Sequence, residues 1–178
     1  QDRGFAEADV CEWVDHVMAT PQKYLSSGVA KGVTPILRKT WKSLGQERRT
    51  LFTLLARFTL SLSQAEMLFE ENERRKNGLE CSDAEIIANP YLLYEETRLK
   101  LEGSYIDIST VDKAVFPVSS IAVLYPLAEP TKLASDNDER RVRALAIAVL
   151  EAAAQRGHTF LPCNMLVDWM QKINLDPP

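Results

Sequence analysis

Residues 135–157 read SDNDERRVRALAIAVLEAAAQRG, the clearest helical pattern in the chain. The apolar side chains recur every three or four residues and therefore share one face of a helix; they are Val142, Leu145, Ala146, Val149, Leu150 and Ala153. Gly157 suits the end of this helix, because glycine adopts the left-handed backbone conformation without a steric penalty. We therefore predict a long helix that buries Leu145 and Val149.

Shorter helices are predicted on the N-terminal side and after Pro162. The apolar spacing and the helix-stop residues give ranges of about 6–18, 36–44, 48–58, 63–76, 82–88 and 162–173. Two of these helices begin with a capping-box pattern, Ser63-Gln64-Ala65-Glu66 and Ser82-Asp83-Ala84-Glu85. The glycines of residues 26–35 predict a loop, and Tyr105–Ile108 alternates like a β-strand.

The composition is that of a folded, globular chain. With 46% hydrophobic and 26% charged residues, the 178-residue sequence is too apolar for a disordered segment. The helical patterns predict a mainly α fold, and the length allows two small packed units. We expect an N-terminal helical subdomain over residues 1–88 and a C-terminal helical subdomain over residues 89–178.

Charge and cysteine content exclude several classes of protein. The net charge of −4 argues against a uniformly basic nucleic-acid binder, so any contact with DNA has to be local. The three cysteines are far apart and do not have the spacing of a disulfide framework or a zinc site. No apolar run approaches the roughly 20 residues that span a bilayer. We expect a cytoplasmic protein without membrane partners.

The sequence lacks the motifs of common catalytic sites. A motor domain needs a phosphate-binding loop that ends in Gly-Lys-Ser/Thr, and Gly28–Gly32 has its lysine between the glycines instead. Neither His16 nor His158 has a nucleophile or metal-ligand pattern around it. Paired carboxylates occur at Glu95-Glu96 and at Asp136 with Asp138, and although a metal-dependent nuclease centre could use them, solvated helix ends are the simpler interpretation. We expect no catalytic residue, metal or cofactor in this chain.

Basic residues cluster at the two ends of the long helix. The candidates for phosphate contacts are Arg140, Arg141, Arg143, Arg156, His158 and Thr159. Guanidinium, imidazole and hydroxyl groups hold phosphate oxygens without reading the base sequence. A structural role explains the same residues: Arg156 can stabilise the helix C-terminus, and Arg140 or Arg143 can belong to a solvated face.

Four motifs, in this order, resemble the region before the motor of RecD-like helicases, the exodeoxyribonuclease V alpha-subunit type. The motifs are Asn89-Pro90-Tyr91-Leu92, Ile106–Ala114, Arg141-Val142-Arg143-Ala144 with Val149-Leu150, and Gly157-His158-Thr159-Phe160-Leu161-Pro162. The resemblance covers about residues 50–170. It implies a 5′-to-3′ DNA helicase in which a helical accessory region with helix-hairpin-helix-like elements precedes the ATPase motor. Tyr105–Ile108 replaces the glycine-containing hairpin that is common in that family.

Two functions follow from these observations. The resemblance implies a non-catalytic accessory region that contacts DNA, single-stranded or at a junction, and supports the motor of the parent chain. The alternative is a protein-interaction module that docks another subunit through acidic and exposed apolar surfaces without touching DNA. A third reading, an autonomous nuclease or hydrolase, has only the isolated carboxylates and histidines in its favour.

Overall fold

The computed structural model describes residues 7–101, 103–173 and 175, and these residues form thirteen α-helices without a β-strand. The helices are α1 (Glu7–Ala19), α2 (Pro21–Tyr24), α3 (Ser27–Gly32), α4 (Pro35–Ser43), α5 (Gln46–Leu55), α6 (Leu62–Phe69), α7 (Glu71–Lys76), α8 (Asp83–Ala88), α9 (Leu92–Lys100), α10 (Ile108–Val115), α11 (Ser119–Leu124), α12 (Glu139–Gln155) and α13 (Cys163–Gln171). The prediction of a mainly α fold is confirmed.

A single hydrophobic cluster lies between the central helices and includes residues from both sides of the predicted boundary at residues 88/89. Its members include Leu51, Leu54, Leu68, Ile86, Leu93, Val111, Ala144 and Leu145, which come from α5, α6, α8, α9, α10 and α12. Full burial of one such large aliphatic side chain stabilises the fold by roughly 1.5–3 kcal/mol. The core therefore joins the two predicted halves.

Helix α12 forms where the sequence predicts it, and part of the predicted apolar face is buried. Leu145 is 7% exposed and Val149 is 4% exposed, as expected from the apolar spacing. Leu150 belongs to the same pattern but is 45% exposed, so the buried face is narrower than the pattern suggests. Contacts with α9, α10 and α13 cover this face.

The two ends of α12 are capped in different ways. Asp138 caps the start, where its side chain accepts a hydrogen bond from the Arg140 amide. Gly157 has a φ of 86° and forms a Schellman motif: its own amide donates to Ala154 O, and the His158 amide donates to Ala153 O. This stop turns the chain back, so that α13 packs against α12.

One of the two predicted capping boxes is confirmed and the other is wrong by two residues. Ser82 accepts from the Glu85 amide, and the Glu85 carboxylate accepts from the Ser82 amide. At α6 the cap is Ser61 with Gln64, not Ser63 with Glu66. Ser61 has the extended backbone that a cap requires, with φ −69° and ψ 160°, whereas Ser63 is already inside the helix.

Two local predictions fail in the segments between the main helices. Tyr105–Ile108 does not form a strand, because the Asp107 side chain accepts from the Ser109 amide and starts α10 at Ile108. The Ile106 amide donates to Thr97 Oγ1 at 2.9 Å instead of to a neighbouring strand. Residues 26–35 are not a continuous loop, since α3 occupies Ser27–Gly32 and α4 begins at Pro35.

Candidate nucleic-acid interface

Arg140, at the start of α12, has all five guanidinium N–H donors committed inside the fold. Nε and Nη2 donate to the two carboxylate oxygens of Asp138, both at 2.9 Å. Nη1 donates to Ala88 O at 2.6 Å and to Pro130 O at 2.9 Å, and Nη2 also donates to Lys132 O at 2.8 Å. Arg140 therefore ties three chain segments together and has no guanidinium donor left for a phosphate.

Arg141 is buried, with 5% of its surface exposed, and forms a bidentate pair with Asp112. Nε and Nη2 of Arg141 donate to the Asp112 carboxylate oxygens at 2.9 and 3.0 Å. The guanidinium also stacks 4.3 Å from the centroid of the Phe116 ring, and Tyr91 Oη donates to Asp112 at 2.6 Å. Burial, together with the neighbouring Asp112 carboxylate, raises the pKa of Tyr91 and keeps its hydroxyl protonated as a donor.

These contacts weigh against the predicted role of Arg140 and Arg141 in holding phosphate. A phosphate could bind either guanidinium only after a buried carboxylate or several backbone carbonyls had lost their partner, which costs several kcal/mol. The alternative of a solvated helix face does not describe Arg140 either, because its guanidinium donors are bonded within the fold. For Arg141, sequence alone could not separate a phosphate-binding role from a structural one, because its partner Asp112 lies 29 positions away along the chain.

Arg143 is the one N-terminal candidate on α12 whose side chain remains largely outside. Its side chain is 68% exposed, and Nη2 lies 3.0 Å from Oε2 of the buried Glu95. Burial raises the pKa of Glu95, while the charge of Arg143 acts in the opposite direction. Part of the Arg143 guanidinium is thus open to solvent, although its charge is already balanced by a carboxylate.

The remaining candidates come together where α12 turns into α13. Cζ of Arg156 lies 5.7 Å from the centroid of the Trp169 ring, and the His158 ring meets the same indole edge-on at 5.7 Å and 77°. Arg156, His158, Thr159 and Phe160 are all exposed, and Trp169 is half-buried. We call residues 156–160 together with Trp169 and Lys172 the α12–α13 corner.

A surface cleft of about 500 Å³ opens beside the α12–α13 corner. Arg156, Trp169 and Lys172 contribute its polar and aromatic wall, and Val149 and Ile108 contribute its apolar floor. Lys172 pairs with Asp168 at 2.7 Å. In the described part of the chain no carboxylate pairs with Arg156, so its charge faces solvent.

Comparison with known proteins gives no match. No protein family, no curated protein and no solved structure is significantly similar to this chain.

The structure also locates the carboxylates that the sequence offered as candidates for a metal-dependent centre. Asp138 is the N-cap of α12 and the partner of Arg140, and Glu95 is the partner of Arg143, so both carboxylates have structural contacts. Across residues 7–101, 103–173 and 175 there is no group of histidine, cysteine and carboxylate side chains arranged to hold a metal ion. Within the same residues no helix has the length and apolarity needed to cross a membrane.

Sequence reasoning found Arg156, His158 and Thr159 but did not include Phe160, Trp169 or Lys172 in the site. Phe160 was visible as a large apolar residue between Thr159 and Pro162, outside any helical pattern. Trp169 and Lys172 reach the corner only because α13 folds back on α12. That contact is tertiary and has no signal in local spacing.

Proposed function

We propose that this chain is a non-catalytic accessory region that contacts DNA, single-stranded or at a junction, for a RecD-like 5′-to-3′ helicase. The observation that carries the proposal is the α12–α13 corner, where Arg156 and His158 pack against the Trp169 ring. Lys172 lines the same cleft, and Phe160 is exposed in the adjoining turn. The resemblance of the preceding motifs to RecD-like chains supports the same reading. The proposal implies that the partner is the ATPase motor of the parent chain and that the protein acts in the cytoplasm. The helix-hairpin-helix-like elements stay predictions.

The chemistry of the corner suits sequence-independent binding of a nucleic-acid backbone. Arg156 and Lys172 supply positive charge that displaces counterions from phosphates, and the His158 and Thr159 side chains can donate hydrogen bonds to phosphate oxygens. The chain as a whole is acidic, so a binding surface of this kind has to be small. Weak, salt-dependent affinity is the expected result.

Fluorescence anisotropy with a labelled oligo-dT tests this proposal. If about two or three phosphates are neutralised, the logarithm of affinity falls with the logarithm of salt at a slope of about −1.4 to −2.1. Replacing both Arg156 and Lys172 by alanine should remove most of the binding and flatten the slope. Lys39→Ala is the matched control, because Lys39 is an exposed cation on α4 and should leave the affinity unchanged. Equal affinities of the double variant and the wild type at all salt concentrations would reject the proposal.

A protein-docking role is the second candidate, and α11 favours it. None of the α11 side chains is buried, and Ile121, Val123 and Leu124 are 45%, 80% and 63% exposed. Contiguous exposed apolar side chains of this kind commonly mark contact surfaces. The anisotropy experiment separates the two roles, since a chain that only docks a protein should not bind oligo-dT even at low salt.

A further inference from the structure

Phe160 is the most exposed aromatic side chain of the α12–α13 corner, with 78% of its surface accessible. A phenylalanine has no hydrogen-bonding group, so this exposure leaves apolar surface in water that burial would remove favourably. A single exposed apolar residue needs no explanation by itself. The informative feature is its position, two residues after His158 and in the same exposed turn as Arg156 and Thr159.

The turn that carries Phe160 is held at both ends. On the N-terminal side, Gly157 closes α12 in a Schellman motif, and the His158 ring packs edge-on against Trp169. On the C-terminal side, Leu161 is half-buried and Pro162 is the N-cap of α13. A short turn fixed in this way limits the freedom of the Phe160 backbone. The ring is thus presented to solvent from a defined position.

We propose that Phe160 is a stacking platform for an unpaired nucleobase, an inference that rests on the proposed DNA-binding function. Aromatic rings next to cationic groups are the usual arrangement for binding single-stranded nucleic acid, because every base has a π-face and every nucleotide has a phosphate. Arg156 begins the exposed turn that carries Phe160 and also lines the cleft together with Lys172, so positive charge is available for the phosphate. The ligand is therefore a single-stranded nucleotide, not the outside of a duplex.

Duplex DNA does not offer the same contact. Its bases are already stacked on one another, and a ring can reach a base face only by unstacking a step, which costs a few kcal/mol. The corner has no wedge of several apolar side chains to compensate for that cost, since Arg156, His158 and Thr159 around Phe160 are polar or charged. Preference for unpaired over paired bases follows from this difference.

The test compares two oligonucleotides of the same length and charge, oligo-dT and an abasic oligomer in which every base is missing. Wild-type 178-residue chain should bind oligo-dT more tightly, because only this ligand can stack. Phe160→Ala should lower the oligo-dT affinity by about 5-fold to 150-fold, the range found for loss of one stacked base. The affinity for the abasic oligomer should stay the same, and Phe160→Trp should keep the preference for oligo-dT.

The controls separate this inference from the proposed function. Phe160 is largely exposed, so Phe160→Ala should unfold at the wild-type denaturant midpoint, and Leu62→Ala changes an equally exposed apolar residue on α6. Stacking at Phe160 is refuted if Phe160→Ala leaves the oligo-dT preference intact or weakens both oligomers equally. It is also refuted if the wild type binds both oligomers equally, although salt-dependent binding would then still support the proposed function. Absence of binding to either oligomer at low salt would reject both.

Discussion

The two ends of α12 carry the same kinds of side chain and use them in opposite ways. At the N-terminal end, Arg140 and Arg141 donate to Asp138, to Asp112 and to backbone carbonyls. At the C-terminal end, Arg156 is exposed, and its guanidinium lies near the Trp169 ring. The N-terminal pair stabilises the fold, and the C-terminal end leaves positive charge available to a ligand.

The difference shows that an arginine cluster on a helix does not by itself indicate a binding surface. A guanidinium has five donors, and the fold decides whether carboxylates and carbonyls satisfy them. Both ends of α12 looked equally suitable for phosphate in the sequence. The partners that separate them come from α10, from Ala88 at the end of α8 and from the segment 130–138.

The largest effect is expected for Arg141→Ala at the N-terminal end. Removal of the guanidinium leaves the Asp112 carboxylate, which is 1% exposed, without its cation. Loss of one partner of a buried ion pair costs about 3–5 kcal/mol. Denaturant unfolding should show this loss. The free energy of unfolding of Arg141→Lys should lie between those of Arg141→Ala and the wild type, because lysine keeps the charge but cannot form the bidentate pair.

A loss of stability below about 1 kcal/mol in Arg141→Ala would contradict this assignment. It would show that solvent or another group replaces the guanidinium at Asp112. The contrast between the two ends of α12 would then disappear, and Arg141 would again be a candidate for contact with phosphate.

An intermediate, pH-dependent effect is expected for Asp138→Asn. Hydrogen bonds from Arg140 hold the pKa of the Asp138 carboxyl well below its usual range. A group with a lowered folded-state pKa stabilises the fold above its unfolded pKa of about 4 and loses that contribution as the pH falls through the folded value. The variant should be less stable by about 1 kcal/mol at neutral pH.

The difference between the wild type and Asp138→Asn should shrink when urea unfolding is repeated at progressively lower pH, starting below about pH 4. Asparagine keeps the capping oxygen, so the cap itself is preserved and the change reports on the charge. A stability difference that stays constant down to acid pH would mean that the Asp138–Arg140 pair does not depend on ionisation of the carboxyl.

The smallest effect on stability is expected for Arg156→Ala at the C-terminal end. The variant loses one exposed cation–π contact with Trp169, which contributes about 0.5–1 kcal/mol. The free energy of unfolding, measured by heat or denaturant, should therefore change by no more than about 1 kcal/mol. The affinity for oligo-dT should fall. A destabilisation similar to that of Arg141→Ala would show that Arg156 also serves the fold, and the two ends of α12 would no longer differ in kind.

Most of the helices could be predicted from local patterns. Helix α12 follows from its apolar spacing and from Gly157, and α8 follows from the Ser82–Glu85 capping box. The start of α6 was misplaced because Ser61 and Ser63 both begin a pattern that can form a capping box. Only the backbone conformation at Ser61 distinguishes the two, and that conformation depends on where the preceding chain lies.

The candidate site could be predicted only in part. Arg156, His158 and Thr159 are neighbours in sequence, so their proximity is certain as soon as the helix ends at Gly157. Arg140 and Arg141 are equally close neighbours, yet their carboxylate and carbonyl partners include Asp112 and Ala88, which are distant in sequence. A local pattern carries no information about such partners.

For this protein, the sequence by itself determined the mainly α fold, the extent of α12 and the residues available at each of its ends. These properties depend on hydrogen bonds and apolar spacing within a few residues, which are local. Only the tertiary structure decided which cations remain exposed and that Trp169 joins Arg156 and His158. The reason is that charge neutralisation and ring packing depend on groups far apart along the chain, which meet when the helices pack.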